Sequence, residues 1–182
     1  MSSLLKKLII IVSVVTFILF VSLLVAAWYM GMFAPVSVKE AERGPYYTVL
    51  LSHDGAYREI SQKINEVSDW LTENHLKHSA ACRIFYENLT KIGSNDLHSE
   101  VGYLIDDSLQ VPPPFYCLKI PARKTIVASI KANSAIAWFK TYPALINWME
   151  KYNFKQDTLK PIIELYHNDG IVDVELAILK SH

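Results

Sequence analysis

The amino-terminal part of the chain contains a long apolar run that restricts the fold more than any other feature of the sequence. No charged residue occurs between Lys7 and Lys39. The run from about Leu8 to Trp28 has only three hydroxyl residues as polar members, and as a helix it would span about 30 Å, the thickness of a bilayer core. It ends in Trp28 and Tyr29, and such rings are enriched at the headgroup level. We therefore predict a single-pass membrane anchor within residues 1–30.

Two fates of this segment fit the sequence. It is either a retained signal anchor or a signal peptide that is cut after the small residues 25–27. Retention is favoured, because the apolar run is longer than the core of a usual signal peptide and ends in aromatic residues. Lys6 and Lys7 precede the run, whereas the first basic residues after it are distant and mixed with acidic ones. The positive-inside rule therefore favours a cytoplasmic amino terminus and an exported body, by a small margin.

The composition of the body excludes several classes of protein. Beyond the run, 16 basic residues stand against 18 acidic ones, so the body has no charge excess for a nucleic-acid partner. Cys82 and Cys117 are too few for a disulfide framework, and two free thiols are favoured over one bridge. His75 and His78 lack the further ligands of a metal site and are interpreted as a solvated helix end. No phosphate-binding loop or nucleophile turn is present, so neither a metal nor a cofactor is predicted.

The body passes twice through the order strand, helix, strand, strand. Residues 31–45 are interpreted as a linker, and residues 46–180 as one domain with repeats at about 46–106 and 115–179. In the first repeat, TVLLSH predicts a strand, HDGAY a turn, and an amphipathic run of period 3.6 a helix that ends near Asn74; CRIFYEN and EVGYLID predict two strands. The loop from Thr90 to His98 joins them and follows a glycosylation sequon at Asn88.

In the second repeat, ARKTIVASIK predicts a strand and residues 135–152 a helix, in which Pro143 is expected to begin the main part. PIIELYHND and VDVELAIL predict paired strands around the tight turn Asn168-Asp169-Gly170. Three pairs of like residues lie at similar separations: Trp70 and Trp148, Tyr86 and Tyr166, and Val101 and Val174. These patterns predict an α+β domain, a duplicated β-α-β-β unit with an antiparallel sheet and two main helices.

Six short motifs, taken together and in this order, resemble one known family. They are HDGAY, the helix closing on WL, FYEN, the run Glu100-Val101-Gly102, the link IPA and ELYHND. The body resembles the GyrI-like family, also described as gyrase-inhibitor-like or effector-binding domains of the duplicated SHS2 type. An apolar span ahead of such a domain is similar to a membrane-anchored branch that includes an endoplasmic-reticulum autophagy receptor of animals. Because the sequence ends at His182 without a long acidic tail, the resemblance implies the domain and the anchor rather than the autophagy role.

The resemblance implies a groove between the repeats that binds a small amphipathic or cationic molecule. The family's groove glutamate corresponds to Glu164, which shares a strand face with Ile162 and Tyr166. The alternative is a solvent-exposed glutamate on an edge strand, or one paired with Lys160. The other candidate binding residues are Tyr86, Tyr103 and Trp138, whose rings could stack on a flat or cationic molecule.

The sequence thus favours a non-catalytic binding module. Two alternatives remain: a protein-interaction adaptor at a membrane, and a hydrolase of strained cyclopropane compounds that uses Glu164 and Tyr166. An open cavity lined by the candidate residues would favour binding or chemistry, and a filled groove would favour the adaptor.

Overall fold

The computed structural model describes residues 3–54, 57–86 and 98–180. Three helices and nine strands occur in these ranges, and every strand pairing is antiparallel. The helices are α1 (Ser3–Tyr29), α2 (Tyr57–Glu73) and α3 (Ser134–Tyr152). The strands are β1 (Ser37–Arg43), β2 (Tyr46–Asp54), β3 (His78–Phe85), β4 (His98–Ile105), β5 (Tyr116–Ile120), β6 (Arg123–Lys131), β7 (Phe154–Gln156), β8 (Ile162–Tyr166) and β9 (Ile171–Lys180). The predicted α+β class with an antiparallel sheet is confirmed.

The sheet has the order β1-β6-β9-β8-β3-β4-β2-β5, with β7 paired to the end of β9. Each half of the domain contributes three neighbouring strands, β2-β4-β3 in one half and β6-β9-β8 in the other. The two sets join where β3 pairs with β8. Only residues 44–45 connect β1, at one edge, to β2, near the other edge. Three residue steps reach roughly 10 Å at most. The sheet must therefore curl until its two edges approach each other.

One face of the sheet, the helix face, is covered by α2 and α3. The helix α2 packs on β2 and β4, where Val67 and Leu71 bury against Val49 and Leu51. The helix α3 packs on β6 and β9, where Leu145 contributes to a second core cluster. Apolar residues at a spacing of three or four along each helix produce these buried stripes. The strands β3 and β8 lie between the areas that the two helices cover.

The opposite face, the inner face, is buried by the curl of the sheet. Leu50, Ile84 and Ile163 form a core cluster there with Cys82 and Ile120. Tyr46 on β2 reaches across this face and donates a hydrogen bond to Glu175 on β9, at 2.6 Å. Both faces of the central strands are therefore buried, which explains why apolar residues surround Arg83 in β3 and Glu164 in β8.

Three strands, β1, β5 and β7, lie where the sequence predicted no strand. The prediction that residues 31–45 are a linker is wrong for β1, which pairs with β6 along its whole length. This strand, SVKEAER, is half exposed at a sheet edge, so it lacks the apolar alternation that identifies a strand. Similarly, β5 follows the proline run 112–114 and pairs with β2. The third, β7, follows α3 and pairs with β9. Apart from these three strands, each half has the predicted order strand, helix, strand, strand.

The helix α3 is continuous through Pro143, so the prediction that this proline begins the main helix is wrong. Asn133 caps the helix with its side-chain oxygen, which accepts a hydrogen bond from the amide of Ala135 at 2.9 Å. Burial of Ala137, Thr141 and Tyr142 holds the first turns on the sheet. Packing thus compensates for the hydrogen bond that the proline cannot donate.

Several other predictions are confirmed. The turn at Asn168–Gly170 joins β8 to β9, with Gly170 at φ 81°. Asn74 ends α2 and donates from its side chain to the carbonyl of Trp70. Cys82 and Cys117 are free thiols. The predicted loop 90–98 and the sequon at Asn88 lie largely outside the described residues.

The helix α1 contains 27 residues and is long and apolar enough to cross a membrane. No residue of α1 is buried. Its exit is attached to the domain, because Gly31 is buried against Ala132 and the amide of Asn133 donates to the carbonyl of Met30 at 2.9 Å.

Candidate functional site

The site centres on a buried carboxylate in the middle of the sheet. Glu164 lies on β8 with its side chain on the helix face, between the areas covered by α2 and α3, and only 2% of the residue is exposed. The strand β8 is flanked by β9 and β3, so Glu164 is not on an edge strand. Because an unpaired carboxylate is costly to bury, its partners determine what the site can do.

Arg83 is the main charged partner of Glu164. The two residues are directly opposite in the β3–β8 pair, and Nε of Arg83 lies 3.3 Å from Oε2 of Glu164. The guanidinium carbon also lies 4.2 Å from the ring centroid of Phe85, a cation–π contact on the same strand. The predicted alternative partner, Lys160, instead pairs with Asp157 at 3.6 Å. The positive charge that Glu164 needs is therefore supplied from within the domain.

Two tyrosine hydroxyls complete the surroundings of the carboxylate. Tyr142 on α3 donates to Oε1 at 2.5 Å, and Tyr166 on β8 donates to Oε2. Burial, together with the neighbouring Glu164 charge, raises the pKa of Tyr142 well above its ordinary value, so this hydroxyl remains a donor. Trp138, one helical turn before Tyr142, places its ring 5.8 Å from the tyrosine ring. Trp138, Tyr142 and Glu164 are thus in contact one after the other, from the protein surface to the central strands.

A further tyrosine, Tyr103, lies on the helix face two strands away from Glu164. Tyr103 on β4 pairs with Ala81 on β3, and Ala81 pairs with Tyr166 on β8. The small side chain of Ala81 therefore separates two tyrosines in one row of the sheet. Tyr103 also packs edge-to-face against His78, with ring centroids 4.7 Å apart. This row lies on the helix face, where Phe85, Ile162 and Glu164 are each at most 2% exposed, so side chains fill this part of the face.

Comparison with protein families identifies the domain. The model of the GyrI-like small molecule binding domain matches residues 36–178, which is most of the chain. The chain belongs to the GyrI-like family. A comparison with curated proteins finds no match.

Solved structures share the GyrI-like fold at low sequence identity. The C-terminal domain of EcmrR is 13% identical, with a TM-score of 0.60 over 81% of this chain and 98% of that domain. A hydrolase from Listeria innocua is 8% identical, with a TM-score of 0.56 over 79% of this chain and 92% of the hydrolase. SAV2435 bound to tetraphenylphosphonium is 9% identical, with a TM-score of 0.55 over 79% of this chain and 94% of that protein. At such identities the likeness concerns the fold alone.

Within this GyrI-like domain, the structure brings together four of the six predicted residues. Glu164 and Tyr166 are in direct contact, Ile162 is fully buried one position along the same face, and Trp138 reaches the site through Tyr142. Tyr103 lies on the same face at a distance of two strands.

Tyr86 does not lie with the other predicted residues. It follows Phe85 directly, and Phe85 is on the helix face, so the side chain of Tyr86 points toward the inner face. Its hydroxyl donates to Glu100 at 3.2 Å, and burial together with Glu100 raises its pKa to about 12. The predicted match of Tyr86 with Tyr166 is wrong by one residue, because Phe85 occupies the position that corresponds to Tyr166. A shift of one residue in a strand moves the side chain to the other face.

Two members of the site were missed by the sequence analysis. Arg83 carried a usable signal, since it is a charged residue inside the apolar strand run CRIFY, just as Glu164 is inside IIELY. Opposite charges in two central strands predict an ion pair. Tyr142 carried a weaker signal, because it directly precedes Pro143, at which the sequence predicts the start of the main helix.

A second buried charged cluster occupies the inner face. Glu175 on β9 is fully buried and accepts a hydrogen bond from Tyr46. Arg43 and Arg123 approach its two carboxylate oxygens at 3.5 and 3.7 Å, and Nη1 of Arg123 donates to the carbonyl of Pro161 at 2.5 Å. Burial raises the pKa of Glu175 above its ordinary value. This cluster links β1 and β9 to β2, across the gap that the curl of the sheet closes. We therefore interpret it as a structural cluster.

The helix end near His75 and His78 forms a shallow pocket of about 530 Å³ with Lys77 and Asp106. Among the described residues, no group of three or more histidine, cysteine or carboxylate side chains could hold a metal ion. The pocket is open and mostly lined by exposed side chains, and no further role is assigned to it.

Proposed function

We propose that this GyrI-like protein is a membrane-tethered receptor that binds a small amphipathic molecule with a cationic end, without altering it chemically. The observation that supports this proposal is the Glu164 carboxylate, buried between α2 and α3 and surrounded by Tyr142, Tyr166 and Trp138. The family model describes a small-molecule-binding domain over the same residues.

The side chains around Glu164 suit such a molecule. A carboxylate accepts about four hydrogen bonds, and each oxygen of Glu164 accepts one from a tyrosine. Arg83 takes up part of the remaining capacity at Oε2, and a donor or a cation from the bound molecule would use the rest. The aromatic rings of Trp138 and Tyr142 can contact the apolar part of the molecule and attract its positive charge. Arg83 keeps the buried carboxylate neutralised until that molecule arrives.

A protein of the same fold supports a cationic ligand. SAV2435 has been solved with bound tetraphenylphosphonium, a lipophilic cation. EcmrR has been solved in a complex with DNA, and that property belongs to EcmrR. For the present chain we retain the prediction of no nucleic-acid partner, because its body has no excess of basic residues.

We further propose that α1 anchors the receptor as a single-pass span. The small residues at which a signal peptide could be cut lie in the last turns of α1, where the carbonyls of Ala26 and Ala27 accept hydrogen bonds from Met30 and Met32. The following residues dock on the domain through Gly31. This continuous attachment favours a retained helix. The membrane-anchored branch of the family, suggested by the sequence, would share this plan.

The binding experiment uses tetraphenylphosphonium and the full chain in detergent, followed by calorimetry. The probe has a charge and no hydrogen-bond donor, so it reports on electrostatic attraction. Glu164→Gln should weaken binding at least tenfold, whereas Glu150→Gln, the same change at an exposed site on α3, should leave it unchanged. Arg83→Gln should strengthen binding, because the carboxylate loses its internal counter-charge. Unchanged affinity in a folded Glu164→Gln protein would overturn the assigned role.

Two other functions have specific support. The hydrolase of the same fold from Listeria innocua keeps a hydrolytic role open, with Glu164 as base. Turnover of a cyclopropane compound that Glu164→Gln abolishes would establish it. The adaptor role is favoured by the filled groove, since Phe85, Ile162 and Glu164 are each at most 2% exposed. A stoichiometric protein partner recovered from membranes, together with no binding of tetraphenylphosphonium, would establish that role.

A further inference from the structure

Exposed aromatic residues lie at the exit of α1 and on the first turns of α3. Phe33 is 64% exposed, and Phe139 and Trp138 on the first turns of α3 are 68% and 36% exposed. Met30 and Met32 are each 42% exposed beside them. Large apolar side chains grouped in this way mark an interaction surface. We call Phe33, Trp138 and Phe139 the exit collar.

Polar contacts fix the exit collar next to the end of α1. The amide of Asn133 donates to the carbonyl of Met30 at 2.9 Å. Nζ of Lys140, one residue after Phe139, donates to the carbonyl of Met32 at 2.9 Å and also to that of Ala34. Both ends of the segment 133–140 are therefore tied to the residues that follow the span.

Lys140 has an additional electrostatic role at this junction. The last turn of α1 contains no basic residue, although a helix carboxyl terminus is stabilised by a nearby cation. The ammonium of Lys140 supplies that charge from α3, because it bonds to carbonyls just beyond the helix end. The apolar stem of such a lysine can lie along a membrane interface while its charge remains hydrated or bonded.

The same end of the domain holds the candidate binding site. A core cluster contains Ala34 and Val36, which follow α1, together with Tyr166, which donates to Glu164. Trp138 of the exit collar packs on Tyr142, the other donor to Glu164. A few side chains thus separate the end of α1 from Glu164.

We propose that the exit collar inserts into the headgroup region of the bilayer, as a second membrane contact that lays the domain on the surface and turns the Glu164 site toward it. The inference rests on the proposed anchoring by α1 and extends it. Its occupant is the bilayer itself, because the collar is continuous with a helix that fits the bilayer core and consists of Trp and Phe, which bury at the headgroup boundary when they lie on one face of a membrane-bound segment. A molecule dissolved in the bilayer would then reach the groove without crossing water.

The test is photo-crosslinking of the full chain in vesicles of phosphatidylcholine with a minor fraction of phosphatidylglycerol. A benzophenone amino acid replaces Phe139 in one variant, Val15 in a second and Leu159 in a third. Leu159 is 93% exposed and precedes β8, at the opposite end of that strand from Tyr166, so it is the matched negative control. Mass spectrometry counts the phospholipid adducts.

The expected result is lipid labelling from positions 15 and 139 with none from position 159. Labelling from position 15 with only the control level from position 139 would leave the anchor in place and overturn the exit-collar contact. No labelling from position 15 would overturn the anchoring itself, and the inference with it.

Discussion

Arg83 and Glu164 face each other across the two central strands, with Nε 3.3 Å from Oε2 and each side chain only 2% exposed. Arg83 pairs with Val101 on its other side, and Glu164 pairs with Val174. The two residues therefore occupy corresponding positions in the two halves of the domain and meet where the halves join. This ion pair stabilises the contact between β3 and β8 and supplies the charged groups of the candidate site.

Removing one charge of this pair should cost much more than removing both. Glu164→Gln removes the carboxylate that lies 3.3 Å from the buried Arg83 guanidinium, and we expect a loss of about 3–5 kcal/mol in the free energy of unfolding. Arg83→Gln should cost a similar amount. The double variant removes both charges and should recover most of the loss. Urea unfolding in mild detergent, followed by tryptophan fluorescence, measures the cycle, and additive losses in the double variant would contradict a direct coupling of the two charges.

The sequence predicted the elements whose apolar period is strong and whose turns carry glycine or asparagine. The helix α2 and the hairpin at Asn168–Gly170 belong to this group. It missed β1, because an edge strand of alternating charges does not look apolar, and it broke α3 at Pro143, because packing on the sheet is invisible in the chain order.

For the candidate site, the family resemblance proposed Glu164, and the strand alternation placed Tyr166 on the same face. It misplaced Tyr86, because a like residue at a similar separation does not fix the register, and one residue decides the face. It also left the partner of Glu164 undecided. Only the strand order places β3 beside β8, so the choice of Arg83 over Lys160 depends on topology.

The buried Glu175 should give the domain an unusual response to pH. Burial raises its pKa in the folded state above the ordinary value of 4.5, so the folded protein binds this proton more tightly than the unfolded chain. This contribution to stability is fully present below the unfolded pKa and is lost as the pH rises through the folded pKa.

The difference in unfolding free energy between the native protein and Glu175→Gln therefore isolates the effect. It should shift in favour of the native protein as the pH falls from 7 toward 4.5, because the glutamine side chain of the variant cannot titrate. Urea unfolding of both proteins at several pH values measures the shift. A difference that is constant over this range would show that Arg123 and Arg43 keep the carboxylate ionised in both states.

Gly102 on β4 should tolerate no side chain. A Cβ at this position would lie 1.9 Å from the carbonyl oxygen of Val49 and 2.9 Å from its carbonyl carbon, and backbone atoms of a neighbouring strand cannot move aside. Gly102→Ala should therefore prevent folding or destabilise the domain by more than about 3 kcal/mol. The control is Gly170→Ala in the open hairpin turn, where the cost should be about 1–2 kcal/mol from the left-handed backbone alone. Thermal unfolding followed by circular dichroism compares them, and equal losses would contradict the close approach of β2 and β4.

Gly31 is the residue through which α1 is fitted to the domain. Its φ is 84°, and a Cβ there would lie 2.6 Å from Cβ of Ala132 and 2.7 Å from the carbonyl oxygen of Lys131. Gly31→Ala should push α1 away from the start of α3, because Ala132 lies at the partly buried margin of its core cluster and α1 lies outside all of the clusters. We therefore expect protease to cut the segment between α1 and β1 several-fold faster, while the melting temperature of the domain changes little.

The same variant connects the junction to the membrane contact. If the exit collar is held at the bilayer by the fit of Gly31 to Ala132, the lipid labelling from a photoprobe at position 139 should fall in Gly31→Ala, while the labelling from position 15 is unchanged. Gly44→Ala is the control, because it makes the same substitution at a positive φ, beyond the end of β1 that lies away from the anchor. Equal labelling from position 139 in the native protein and both variants would mean that the collar finds the bilayer without this junction, and that α1 and the domain are coupled only by the length of chain between them.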